Sequence, residues 1–220
     1  NKMAPIPPAI GGALIGGASD IIGTLFGNKA RKKAMQKQFD VLNAADGKLG
    51  DGDLGITLTR GMEAIADEAG ELPDDLGLAM LQCSQAFTKS SGSSYGTLMA
   101  LAMMAIAKQI KGQTNIDPID LNALVTTARD QIQTRGKAEI GGKTVLDSLD
   151  AVVNHTLGKS DLKDIRTSAI AAVDEALIDF HNKPATMGRA RMFGEKSIGL
   201  DDPGMLAMKF IVYAMAGKNV

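Results

Sequence analysis

Residues 43–55 read NAADGKLGDGDLG and hold three aspartates, Asp46, Asp51 and Asp53, among four glycines, with Lys48 the one cation between them. Carboxylates on a glycine-rich loop are hard oxygen donors, and the chemistry they fit is capture of Mg²⁺ or Ca²⁺. An EF-hand is excluded. With Asp51 at position 1 of such a loop and Asp53 at position 3, position 5 is Gly55 and position 12 is Met62, so the bidentate glutamate is missing. Three aspartates leave coordination positions for water and phosphate oxygens to complete, which is the usual Mg²⁺ arrangement. The same residues also read as a solvated turn in which Asp53 caps a helix starting near Ile56, and the loop alone leaves both readings open.

A second loop, SSGSSYGT (90–97), precedes an apolar stretch at 96–111. Backbone amides at a helix start, with serine hydroxyls beside them, form an anion site, and Gly92 would let the backbone approach a phosphate. It is not a Walker A loop, because no G-x-x-x-x-G-K-[ST] occurs, and Ser and Gly also simply cap helices. Two more loops add cations: Arg135 and Lys137 in RGKAE, and Arg189, Arg191 and Lys196 in GRARMFGEKSIG. These could neutralise a triphosphate, or each could be a solvated surface charge. Asp202 before Pro203 is an N-cap and first-position pair, with a ligand role compatible with the cap. A metal loop, an anion loop and cations together are what phosphoryl transfer needs.

Other chemistry is poorly supported. His155 and His181 lie in or at the ends of helices with no nearby Cys or Ser, so both read as structural or exposed. Cys83 sits in the apolar pattern LGLAMLQCSQAF and reads as a small buried hydrophobe. A single cysteine excludes an internal disulfide framework and fits a reducing cytoplasm. A formal net charge of −1 gives no bulk argument for nucleic acid or an anionic membrane.

The elements that must position these loops are helices. Aromatic content is 4% with no Trp, and small, straight side chains favour close helix packing. Apolar residues recur three and four apart, as in Leu162, Ile165, Ala169, Ala172, Val173, Ala176, Leu177 and Phe180, or Leu121, Leu124, Val125, Ala128 and Ile132, with Asp120 as a cap. The spacing predicts helices near 29–45, 56–69, 74–88, 96–111, 120–135, 144–158, 162–182 and 203–216, with no convincing period-two alternation. The 220 residues predict one all-α domain, its chemistry in loops at one end of a bundle.

The N-terminus differs. APIPPAIGGALIGGASDIIGTLFG (4–27) is Gly-rich and apolar, and NKARKKAMQK (28–37) then carries five Lys or Arg. Asp20 and the prolines argue against a membrane span, and a basic block after the apolar part argues against a signal peptide. The reading is an extension over 1–34 that is disordered or packed on the surface. A partner-associating or membrane-associating segment is the alternative, since Gly12 and Gly16 lie four apart.

Four motifs in order, DGKLGDGDLGITLTRG, SSGSSYGTLMA, TRGKAEIGGKTVLD and GRARMFGEKSIGLDDPG, resemble the L subunit of dihydroxyacetone kinase, the Dak phosphatase-like nucleotide-binding domain. The resemblance runs from about residue 35 to the C-terminus and implies an antiparallel eight-helix barrel with a nucleotide at one end. It implies Asp46, Asp51 and Asp53 as ligands of two Mg²⁺ ions that bind the phosphates of ADP or ATP. Leu54, Gly55, Ile56 and Thr57 would touch the phosphates, with Ser93 and Ser94 as a second phosphate-binding pair. Gly136 and Val145 would line the nucleotide, Arg189 would contact it, and Asp202, Pro203 and Gly204 would form the last loop. No catalytic residue is assigned to this chain, because in the family a histidine on a separate K subunit holds the ketone. That K subunit, carrying dihydroxyacetone or a related small ketose or polyol, is the implied partner. The phosphoryl source is ATP, or bound ADP rephosphorylated by a phosphotransferase-system subunit. The alternative is a nucleotide-binding regulatory module that contacts a transcription factor without turnover. Two departures stand out: Tyr95 replaces the family's glycine after the serine pair, and ATMGRA (185–190) is shorter than the family pattern.

Overall fold

The computed structural model describes residues 29–218, with side chains from Gln38 onward. The apolar stretch 4–27 lies outside the described residues. Eight α-helices occur among those described: α1 (Lys29–Leu49), α2 (Leu54–Glu68), α3 (Leu76–Ser90), α4 (Ser94–Gln109), α5 (Leu121–Gly136), α6 (Val145–Thr156), α7 (Leu162–His181) and α8 (Pro203–Met215). Short 3₁₀ segments at Ala69–Glu71, Pro118–Asp120 and Arg189–Ser197 connect some of them, and no strand forms among the described residues.

Each helix packs on the next in sequence, and α1 returns onto α8, so the helices close a ring. Short connections between packed neighbours make α1 through α7 successively antiparallel, and the approach of Gly204 at the α8 start to Tyr95 and Val145 puts the longer α7–α8 connection at the same end. The α1–α2, α3–α4, α5–α6 and α7–α8 connections therefore share one end, and these are the four loops with unusual chemistry. Closure is apolar: Phe39 and Leu42 of α1 join Leu54, Leu58, Phe87, Ala207 and Phe210 in one buried cluster. Each fully buried large side chain of this kind contributes roughly 1.5–3 kcal/mol. Missing side chains matter as much. A Cβ on Gly61 would strike the Phe87 ring, and one on Gly55 the Phe39 carbonyl, so these glycines set how closely α2 approaches α3 and α1.

Helix starts follow local chemistry, with two departures from the sequence expectation. Asp120 makes no capping bond; Asp117 accepts from Ile119 N–H instead, because a 3₁₀ turn through Pro118 precedes α5. Asp53 occupies the N-cap position of α2, yet its side chain makes no capping bond either. Asp46 supplies it, its Oδ2 accepting from Asp53 N–H at 3.0 Å and Leu54 N–H at 3.2 Å. Ser93 caps α4 through Gly96 N–H. Thr144 and Asp147 form a reciprocal capping box on α6. Asp202 caps α8 through Met205 N–H, with Pro203 first in the helix, as the Asp-Pro pair predicts. Four helix N-termini, each a partial positive charge, thus face the same end.

Candidate metal and nucleotide site

Glycines shape the aspartate loop. A Cβ on Gly50 would strike the Asp46 carboxylate, and Gly52 sits at φ +79°, a left-handed turn that other residues resist. The turn folds Asp51 and Asp53 back over the end of α1. Carboxylate oxygens of Asp46, Asp51 and Asp53 then lie within 4.8 Å of one another, Asp46 buried and the other two exposed. Because Asp46 and not Asp53 caps α2, the Asp53 carboxylate is spared for the cluster. Asn43, which sequence reasoning passed over, accepts from Ile56 N–H at 3.2 Å and secures the same turn.

The cluster is not left without a cation. The Arg189 guanidinium pairs with Asp51, both side chains about half exposed. Arg189 beside it holds the Asp51 carboxyl below its usual range. Partial burial, and then the charge of Asp51, push the Asp53 carboxyl above its usual value. An all-oxygen donor set with this crowding fits a hard divalent cation, to which all three aspartates could be ligands.

The remaining predicted nucleotide residues lie at the starts of α2, α4, α6 and α8 and at the end of α5. Within Leu54–Thr57, the Leu54 amide goes to Asp46, that of Ile56 to Asn43 and that of Thr57 to the Asp53 carbonyl. Any anion at this turn would use Gly55 or displace one of those acceptors. Ser93 and Ser94 open α4, and the buried hydroxyls of Ser91 and Tyr95 beside them have no hydrogen-bond partner. A Cβ on Gly204 would lie 3.1 Å from Asp202 Oδ1, 3.4 Å from the Tyr95 ring and 3.6 Å from Val145 Cβ. The starts of α4, α6 and α8 therefore meet around Tyr95. Gly136 ends α5 facing Leu98 of α4. Burial pushes the Asp202 carboxyl up to about 7. Gly92 is exposed and a Cβ there would meet nothing within 4 Å, while Arg135, Lys137, Arg191 and Lys196 are all exposed.

Residues 48–217 match the family model of the DAK2 domain. The chain belongs to the DAK2 domain family. The DAK2 domain here is 31% identical over 187 residues, 84% of the chain and 90% of the relative, to the ADP-binding subunit DhaL of PEP-dependent dihydroxyacetone kinase 1 from Listeria innocua. It is 32% identical over 179 residues, 80% of the chain and 86% of the relative, to the ADP-binding subunit DhaL of the PTS-dependent dihydroxyacetone kinase from Lactococcus lactis. Human triokinase/FMN cyclase is 31% identical over 180 residues, 79% of this chain and 31% of that one. The fold matches the C. freundii dihydroxyacetone kinase solved in complex with AMP-PNP and Mg²⁺, with TM-score 0.68, 18% identity, and coverage of 99% of this chain and 37% of that chain.

The remaining side chains of this DAK2 domain fall where their local chemistry puts them. Cys83 is buried, its thiol pushed up to about 11 by desolvation, as a packing role requires. His155 faces Glu175 at 3.5 Å and His181 faces Asp201 at 2.8 Å, both in partly exposed pairs. Among the described residues no helix is long and apolar enough to cross a membrane. The residue that sequence reasoning missed most plainly is Lys143 in EIGGKT, 1% exposed and left-handed at φ 61°. A lysine in a polar loop gives no local signal of burial.

Proposed function

We propose that this chain is the Mg-nucleotide-binding subunit of a dihydroxyacetone-kinase-type phosphotransferase. It presents ATP, or ADP rephosphorylated by a phosphotransferase-system subunit, to a K-type subunit carrying dihydroxyacetone or a related small ketose or polyol. The observation that carries this reading is the convergence of Asp46, Asp51 and Asp53 within 4.8 Å beside Arg189, at the end where four helices start. The names of the relatives, both DhaL subunits among them, supply the reaction class. Asp46, Asp51 and Asp53 hold Mg²⁺, two ions in this reading, which when bound neutralises phosphate charge and orients the transferred group.

The chain's own residues do the rest. Ser93, Ser94 and the Leu54–Thr57 turn orient phosphates. Gly136, Val145 and the Asp202–Gly204 start of α8 line the nucleoside, and Arg189 contacts the nucleotide from the loop before α8. Residues 35–220 form the nucleotide-binding unit, residues 1–34 an extension to it, and the chain works in the cytoplasm. In this reading the partner subunit grips the acceptor, so turnover requires that partner.

Reconstitution tests this. The chain is mixed with a K-type subunit, dihydroxyacetone and Mg²⁺, with ATP in one arm and phosphoenolpyruvate plus phosphotransferase-system proteins in the other. Dihydroxyacetone phosphate forms in one arm, and Asp51→Asn abolishes it. Nucleotide binding without product in either arm contradicts the reading.

A further inference from the structure

Lys143 is a fully buried cation that the nucleotide reading does not use. Its Nζ donates to the carbonyl oxygens of His181, Lys183 and Ser197 at 3.1, 2.8 and 2.9 Å, which employs all three ammonium protons. Asp201 and Asp202 act on it only through their field. The three acceptors have one thing in common. They bracket the segment 183–197, which leaves α7 and carries Arg189 before turning into α8.

Other bonds close the same neck. The fully buried Ser197 Oγ accepts from Ala185 N–H at 2.7 Å and donates to the Gly194 carbonyl at 2.6 Å. Gly199 N–H reaches the His181 carbonyl at 2.8 Å. Thr186 and Met187 amides donate to the carbonyl of Gly142, the residue before Lys143. The segment is thus a strap tied at its base, with Lys143 as the knot and the exposed Arg189 within the strap. Lys143 also adopts a left-handed backbone that a side chain resists, a strain kept only where surroundings require it. An unpaired ammonium buried among carbonyls is likewise expensive unless every donor is met.

We propose that Lys143 is a positioning residue: it ties the strap so that Arg189 is held at the aspartate cluster, and it acts on nucleotide affinity through Arg189 without touching nucleotide. The same residue leads directly into Thr144 and Val145 at the start of α6, so one backbone turn couples the strap to the nucleoside side of the site. This inference rests on the proposed nucleotide reading.

The test is a double-mutant cycle on the full chain, with Mg-ADP affinity measured by calorimetry. Lys143→Met keeps the length and apolar stem and removes the charge and donors. It should weaken Mg-ADP binding about tenfold, the scale for losing an outer support of a metal site. Combining it with Arg189→Gln should weaken binding little beyond Arg189→Gln alone, because both remove the same contribution. A folded Lys143→Met with unchanged affinity, or losses that multiply in the double variant, overturns the proposal. Should Lys143→Met fail to fold, Ser197→Ala cuts the same neck by one oxygen, with the same expectations and the same overturning results. Amide exchange of the ligand-free protein gives a reading independent of nucleotide. In Lys143→Met or Ser197→Ala the Thr186, Met187 and Gly199 amides should lose protection while those of α2 and α4 keep it; unchanged protection also overturns the proposal. A wild-type chain that binds no Mg-ADP defeats the functional reading itself, whereas wild-type binding with Lys143→Met unaffected defeats only the strap.

Discussion

The Arg189 guanidinium pairs with the Asp51 carboxylate, so the loop before α8 supplies the positive charge that the glycine-rich loop after α1 lacks. A metal entering the cluster must share Asp51 with Arg189 or displace it. Arg189→Gln should therefore bind Mg²⁺ alone about two- to fivefold more tightly, the range set by an exposed ion pair. It should bind Mg-ADP more weakly, having lost the nucleotide contact. Calorimetry with metal alone and with metal plus ADP separates the two; weaker binding of Mg²⁺ alone would contradict the pairing as competition.

Asp46 and Asp53 should part company in stability. Asp46 accepts from two amides at the start of α2, so Asp46→Ala should destabilise the fold by about 1–2 kcal/mol. Asp53 makes no capping bond, and Asp53→Ala should change stability by less than about 0.5 kcal/mol. Urea unfolding of both variants checks this. Both should lose metal affinity, so stability separates them where binding does not.

Two glycines offer a similar contrast. A Cβ on Gly61 meets the Phe87 ring, and Gly61→Ala should destabilise by about 1–3 kcal/mol. A Cβ on Gly92 meets nothing in the free chain, so Gly92→Ala should leave the melting temperature within a degree or so, as surface changes do. If phosphate approaches the Ser-Gly loop closely, Gly92→Ala should still weaken ADP binding. Unchanged affinity would move the phosphate away from this loop.

Asp202 should impose a pH dependence on folding. Burial pushes its carboxyl up to about 7, against an ordinary value near ~3.9 in the unfolded chain. Between those values the folded chain holds the proton and the unfolded chain has released it, so stability falls as pH rises from about 4 to about 7. The contribution is full below about pH 4 and lost above about pH 7, on the order of 2–4 kcal/mol in all. Asp202→Asn retains an oxygen for the Met205 amide and cannot ionise. Urea midpoints measured across this range should slope less in Asp202→Asn than in wild type, and parallel slopes would refute the assignment.

The helices were legible because their apolar spacing is long and uninterrupted, and α2 through α8 start within two residues of where that spacing places them. Helix caps were less legible. Asp53 and Asp120 stand directly before their helices, yet neither side chain caps: Asp46 accepts from the Leu54 amide that opens α2, and Asp117 caps the 3₁₀ turn that precedes α5. The loop composition left a metal site and a solvated turn both open, and it is the fold that brings the three carboxylates within 4.8 Å of one another. Two things were invisible in sequence: that Arg189 arrives at Asp51, and that Lys143 is buried. Both depend on contacts between segments far apart in the chain, and a lysine in a polar loop carries no local sign of burial.

In the proposed function, Asp46, Asp51 and Asp53 bind nucleotide through metal. Calorimetric titration of ADP into the wild-type chain, with Mg²⁺ and then with chelator, beside the Asp51→Asn and Asp53→Asn double variant, tests it most directly. The wild type should bind ADP in a Mg²⁺-dependent manner, with a loss of at least about tenfold in the double variant. Equal affinity for ADP in the double variant and the wild type, or binding indifferent to Mg²⁺, would contradict it.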